Sequence, residues 1–459
     1  MARVVDLHVM RSRPSLRVPV RGRSGRTSPP GARSPADTGS ASGAGSASDT
    51  GSASGAYRRV LGTPVVTRTL VALLCTRLAT PVLSLALILA TAGKFGSYAV
   101  AGLVGAVHGA SQALAGGLSG RVAGRYRPDR VLTGYLLAHA LAYVVLLTLL
   151  WSPGPAPAAV AVGAGLLGAT APPFSAVVRS AWPRLVDAES LHAVYALDNL
   201  TNEMMFVAGP LLVTVAERWM TAELAIAVAG AALVTGGTAL LLTPRPARET
   251  LLRPPQEPPS GTAVSRWKAL AGPFSHRPTA VLLAVAGLAT ATYGALRLGV
   301  VADAGATGHE DRSGLLLVAL SVGAVAGALW FGRRPRASRR RLLVRLCLAG
   351  AVTCLAAAWS PGLGALAALL ALFGFVEGSR GSLEQVLVAD HAPAALRTES
   401  FAWLNSMLWL GYAVGTAVAG PFVGATGGAA AFVLAAVVSA VAAAGALLLP
   451  RDRDPDGTA

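Results

Sequence analysis

Charge is what this sequence of 459 residues has least of: Asp, Glu, Lys and Arg together make up 13% of it, against about a quarter in soluble domains. With 53% apolar residues and a mean hydropathy of +0.56, the shortage argues against an ordinary soluble fold and points to lipid. Cysteine is nearly absent. Cys75, Cys347 and Cys354 all fall in apolar runs, where they serve as small apolar side chains, so neither a disulfide framework nor a thiolate metal site is expected. The chain also has no Gly-rich phosphate loop followed by lysine, no HExxH and no soluble catalytic domain, so an ATP-driven motor, an enzyme and a bound cofactor are not expected.

What the sequence does have is apolar stretches of about 20 residues, long enough at 1.5 Å per residue to cross roughly 30 Å of hydrocarbon. Twelve are expected: 69–91, 98–120, 131–151, 156–177, 192–215, 222–243, 279–300, 313–332, 342–359, 363–379, 401–422 and 428–449. The fold class is therefore an all-α membrane protein. Residues 1–56, rich in Arg, Ser, Gly and Pro, lack an apolar run of the signal-peptide kind and read as a disordered tail. Residues 244–278 are too polar and Pro-rich to span and join a first block, 57–243, to a second, 279–450; 451–459 form a short C-terminal tail. The KALAGPF piece of the linker reads either as a short helix lying against the membrane or as an ordinary surface segment.

The basic residues follow this topology. Arg121, Arg125, Arg127 and Arg130, then Arg179 and Arg184, then Arg333, Arg334, Arg336 and Arg339 to Arg341 fall in loops on one side. The other side has little beyond Lys94, Arg218 and Arg312. By the positive-inside pattern both termini are expected in the cytoplasm of a cell-membrane protein. Topology thus accounts for the net charge of +17, and nucleic acid is not an expected partner.

The two blocks repeat one another. Gly116, Leu118 and Arg130 recur in kind at Gly327, Leu329 and Arg341, and the AGP at 208–210 recurs at 419–421, each with an offset of 211 positions. This predicts two structurally similar six-helix halves with a solute route between them.

On these residues the chain resembles the major facilitator superfamily. That family's signature between its second and third spans has the form G-x-L-x-D-R-x-G-R-R, against GGLSGRVAGR at Gly116 to Arg125 and GALWFGRRPR at Gly327 to Arg336. The family's acidic position, which helps latch the cytoplasmic gate, is occupied by Gly120 and Phe331, so the latch is absent here or differently built. FVAGPLL, Phe206 to Leu212, partly matches the Gly-Pro motif of family antiporters and leans toward exchange or efflux; Gly209 permits close helix approach and Pro210 can bend the helix.

Charged groups inside spans need partners or a wet cavity. Asp198 and Asn202 lie four residues apart, as do Asn199 and Glu203 on an adjacent face. Arg77 lies about 12 Å into the first span and Asp198 about 9 Å into the fifth, so Arg77 with Asp198 or Glu203 is expected to form a charge network. Asp198 also reads as a group at a helix entrance, and Arg77 as a structural counter-ion. Asn405 and Trp409 present a polar group beside an aromatic surface in the eleventh span; packing explains them equally well. Tyr293 and Arg297 share one face near the outer end of the seventh span. Gly116, Arg121, Arg125, Glu377 and Arg380 are candidates for a cytoplasmic gate, with Glu377 and Arg380 placed at the end of the tenth span, where an ordinary helix-end pair is the competing reading. His108 and His139 are expected to be neutral and satisfied.

The resemblance and the polar groups together imply a monomeric secondary transporter in the bilayer, exporting a small organic or amphiphilic solute in exchange for protons. The alternatives are a carrier for nutrient uptake or facilitated diffusion, and a non-transporting membrane sensor or assembly partner with a transporter fold.

Overall fold

The computed structural model describes residues 49–216, 219–253, 271–306, 313–333 and 339–450. Among them it is helical without a strand. Helix α1 spans Asp49–Gly62, α2 Pro64–Phe95, α3 Tyr98–Arg125, α4 Pro128–Trp151, α5 Pro157–Ala169, α6 Phe174–Leu185, α7 Leu191–Ala216, α8 Ala222–Leu241 and the short α9 Arg245–Leu251. After a short 3-10 helix, Gly272–Ser275, come α10 Arg277–Ala306, α11 Ser313–Gly332, α12 Arg339–Ala357, α13 Leu363–His391, a second 3-10 segment Ala394–Leu396, α14 Arg397–Thr426 and α15 Gly428–Ala446.

The ends of these helices follow local chemistry. Proline opens α2, α4 and α5, where its missing N–H costs nothing. Ser97 caps α3 by accepting from the Val100 N–H, and Thr221 caps α8 by accepting from the Leu224 N–H. Gly96, at φ 60, ends α2 in the left-handed conformation.

Nine helical stretches among the described residues are long and apolar enough to cross a membrane, one of them the stretch Pro157–Leu185 that holds α5 and α6. The remaining expected spans, 98–120, 192–215 and 342–359, coincide with α3, α7 and α12. The first of these is diluted by glycine, the second by Asp198, Asn199, Asn202 and Glu203, and the third by three opening arginines. The outward faces are apolar at helical spacing: Leu137, Leu141 and Val144 on α4, Val318 and Val322 on α11, and Leu348, Val352 and Leu355 on α12 are all exposed. A protein that turns such stripes outward from several helices is built for lipid.

Four sequence expectations are corrected. The stretch 156–177 is two helices, because Pro172 and Pro173 interrupt the ladder between Ala169 and Phe174. The tenth span does not stop at 379: α13 runs on to His391, since no proline intervenes before Pro393 and Leu383, Val386 and Leu387 stay buried. Arg179 is not a loop charge but a buried residue of α6. The expected tail, 1–56, overlaps α1, whose Ala56 is buried and whose Tyr57 hydroxyl donates to the Leu329 carbonyl at 2.8 Å. The rest of that tail up to 48, Arg218, Arg312, Arg334, Arg336, the C-terminal tail from 451 and the first part of KALAGPF lie outside the described residues.

The long helices pack into one compact unit; in chain order they form a first group, α2 to α8, and a second, α10 to α15. Within the first group α2 packs on α7 and α8, and α3 on α5; within the second α11 packs on α13, α10 on α14 and α15, and α12 on α13 and α15. The groups meet where α3 and α6 face α14, and where α7 faces α11 and α13.

Candidate functional site

The opening glycines of the signature form the first of these seams. Gly116, Gly117 and Gly120 of α3 lie directly against Ser406, Trp403 and Ala402 of α14, so closely that a Cβ on any of them would clash. An acid at position 120 therefore has no room, which explains the departure from the family pattern. Next to it, Arg121 Nε donates to Glu399 Oε1 at 2.7 Å across the same seam. An ion pair thus joins the two helices at this position, and its acid comes from α14 rather than from α3. Arg125, one turn further on, is exposed at the end of the helix and takes no part.

Further contacts join the groups at this end. The Thr398 hydroxyl donates to Ser180 Oγ at 2.9 Å, and Tyr195 stacks on Phe401 with centroids 6.0 Å apart. Asn199 Nδ2 donates to the Gly378 carbonyl at 3.3 Å and Asn199 Oδ1 accepts from Gln385 at 3.4 Å. The two groups are therefore held together at this end by several polar and aromatic contacts. Replacing Glu399 by Gln is expected to loosen this end. Spin labels on the exposed positions Arg125 and Ala394, in a background with the native cysteines replaced, should then show the longer-distance population rising about fivefold or more, the loss of one charge-assisted hydrogen bond. An unchanged distance distribution would mean that the Arg121–Glu399 pair does not hold the groups together.

Above the seam, between the two groups, lies a cavity of ≈ 660 Å³. It gathers Arg77, Gly116, Asn202, Glu203, Asn405 and Trp409 from the expected site residues, and Glu377 and Arg380 as well. Asp198 is fully buried just behind the wall.

Arg77 pairs with Asp198 and not with Glu203. Its Nη2 donates to Asp198 Oδ1 at 2.9 Å and its Nη1 donates to the Asp198 carbonyl at 2.7 Å and Thr201 Oγ1 at 2.6 Å. A second guanidinium, missed by the sequence reading, completes the group: Arg179 Nε donates to Asp198 Oδ2 at 2.7 Å. One carboxylate thus serves two arginines from α2 and α6.

On the other side, Glu377 and Arg380 are not a helix-end pair. Both sit in the interior of α13, where Arg380 bonds Glu377 and also Glu384, three and four residues away. The i, i+3 and i, i+4 spacing was visible in the sequence, but it pointed to a cavity only once α13 was known to continue past 379. Glu203 makes no hydrogen bond or ion pair among the described residues, although Glu377, Arg297 and Arg380 lie within electrostatic reach. Arg297 lies 5.7 Å above the Tyr293 ring, as their shared face predicts. Gly209 packs against Pro81 of α2, where a Cβ would come within 2.7 Å of the proline ring, so its close-approach reading holds. His139 Nδ1 meets Thr170 Oγ1 and His108 Nδ1 the Ala164 carbonyl, each at 3.1 Å.

Comparisons with known proteins agree with this architecture. The Major Facilitator Superfamily model matches residues 279–459. The chain superposes on the human organic anion transporter MFSD10 (TETRAN) with a TM-score of 0.62 and 18% identity, covering 86% of this chain and 99% of that one. It superposes on a bacterial homologue of the iron transporter ferroportin, in its outward-facing state, with a TM-score of 0.61 and 16% identity, over 84% and 98% of the two chains. The multidrug efflux pump Tap of Mycolicibacterium fortuitum is 29% identical over 144 residues, 31% of this chain; the match spans 35% of that relative's length.

Proposed function

We propose that this chain, whose residues 279–459 match the Major Facilitator Superfamily model and whose fold superposes on transporters of known structure, is a secondary transporter exporting a small organic or amphiphilic solute in exchange for protons. It works as a monomer of twelve spans, with six-helix halves at 57–243 and 279–450 joined by the linker 244–278. Both termini and the Arg121–Glu399 latch are cytoplasmic, in the cell membrane. The closed seam then makes this an outward-facing conformation, and alternating access proceeds by breaking the α3–α14 and α7–α13 contacts while the halves rock about the cavity.

The observation that carries the exchange reading is Glu203. It lies on the wall of the cavity and has no ion-pair partner among the described residues, and a carboxylate so placed within a membrane is costly when ionised. Protonation changes its charge without breaking a structural pair, as protonating Asp198 would. The partial sequence match to a multidrug efflux pump gives limited support for the outward direction.

In liposomes holding the purified protein and a pH-sensitive dye, solute added against an imposed gradient is expected to move protons. Glu203→Gln should lower that proton movement at least tenfold, about 1.4 kcal/mol or more in the coupled step, while the protein stays folded. Proton movement unchanged by the substitution would overturn Glu203 as the coupling group. Solute flux with no proton movement would make the protein a facilitated-diffusion carrier, and no flux of any solute in a broad library would favour the sensor reading.

A further inference from the structure

The buried charges of the cavity are not balanced within each cluster. On the first group of helices, Arg77 and Arg179 share the single carboxylate of Asp198, leaving one positive charge in excess. On the second, Glu377 and Glu384 share the single guanidinium of Arg380, leaving one negative charge in excess. Arg77, Arg179, Glu377, Arg380 and Glu384 all line the same cavity. Glu203 and Arg297, the other charged residues of that wall, carry one charge of each sign and leave the sum unchanged.

Bonding capacity is left over on both sides. A guanidinium has five N–H donors. Arg179 uses only Nε, and its two terminal nitrogens have no hydrogen-bond partner among the described residues, although the side chain is only 5% exposed. Glu384 engages Arg380 through Oε1, and its Oε2 likewise has no partner in a side chain 2% exposed. The clusters flank one seam: Asn199, the neighbour of Asp198, contacts Gly378 and Gln385, on either side of Arg380 and Glu384.

From this arrangement we infer that the cavity takes a zwitterionic amphiphile, with an anionic group against Arg179 and a cationic group, on the same apolar body, against Glu384 and Glu377. Each excess charge is poorly solvated in a confined space between helices. A solute with a single charge satisfies one cluster and is repelled by the other, and a neutral solute satisfies neither. A zwitterion with separated charges completes both. Aromatic walls from Phe174, Phe401, Tyr293 and Trp409 receive the apolar body. This assignment rests on the reading of the cavity as a solute route, and a binding measurement separates the two.

Four ligands with one apolar chain provide the test: 8-aminooctanoate, octylamine, octanoate and octanol. Their affinities are read by calorimetry on the purified full-length protein. The zwitterion is expected to bind about tenfold tighter than any of the other three. Glu384→Gln neutralises the acidic cluster, and octanoate should then draw level with the zwitterion. Arg179→Gln leaves the Arg77–Asp198 pair intact, and octylamine should draw level instead. Should either variant not yield folded protein, the wild-type ranking decides alone. Equal affinities, or a single-charge ligand ranked first, would mean that the two clusters neutralise each other across the seam and would overturn the inference. Zwitterion preference in binding with no flux into liposomes upholds it while removing the transport reading; flux of another solute without that preference does the reverse.

Discussion

Asp198→Asn is expected to cost about 3–5 kcal/mol of stability, the range found when one member of a buried ion group is removed and its partners stay charged. Here the loss falls on two guanidinium groups at once, since Arg77 and Arg179 both bond this carboxylate and both are more than nine-tenths buried. The amide keeps the shape of the side chain but supplies no negative charge, and its NH2 group faces a donor. The check is the temperature at which the detergent-solubilised protein loses its monodisperse peak in size-exclusion chromatography. A fall comparable to that caused by a core truncation is expected. Asp198→Glu, which keeps the charge, should recover part of it. If Asp198→Asn melts with the wild type, water in the cavity is solvating the arginines and the cluster is not structural.

The second large effect is expected at the α11–α13 interface. Gly323 and Gly327 on one helix, and Gly374 and Gly378 on the other, sit four residues apart and face each other's backbone. A Cβ on Gly327 would overlap the Phe375 carbonyl, and one on Gly374 the Leu320 carbonyl. Backbone cannot rotate away as a side chain can, so Gly374→Leu must push the helices apart. In a membrane, close packing and not water exclusion holds helices together. The expected cost is at least the roughly 1–3 kcal/mol of ordinary core overpacking, read in the same thermal assay. Gly93→Ala and Gly364→Ala, where nothing lies within 4 Å of the added atom, should leave the midpoint unchanged. A Gly374→Leu protein as stable as these controls would show that the two helices have room to separate.

Much of this was legible in sequence because it is written locally. The scarcity of charge and the length of the apolar runs dictated a helical membrane protein, and α2, α4, α8, α10, α11, α14 and α15 lie where hydropathy placed spans. Gly116 and Gly327 stand at equivalent positions of the repeat, yet Gly116 meets Ser406 across the seam between groups and Gly327 meets Phe375 within the second group. The repeat is a property of the chain; the partner of each glycine depends on which face of its helix a neighbour occupies.

The sequence by itself thus determined the class of environment, the position of most helices and the presence of small residues where helices come close. Only the tertiary structure decided which charges meet. Asp198 holds Arg179 as well as Arg77, Arg121 pairs with Glu399, 278 positions away, and Glu384 joins Glu377 around Arg380. The physical reason is one of range. Hydropathy and helix periodicity act over one or two turns, whereas an ion pair in a low-dielectric interior depends on the folding of helices far apart in sequence.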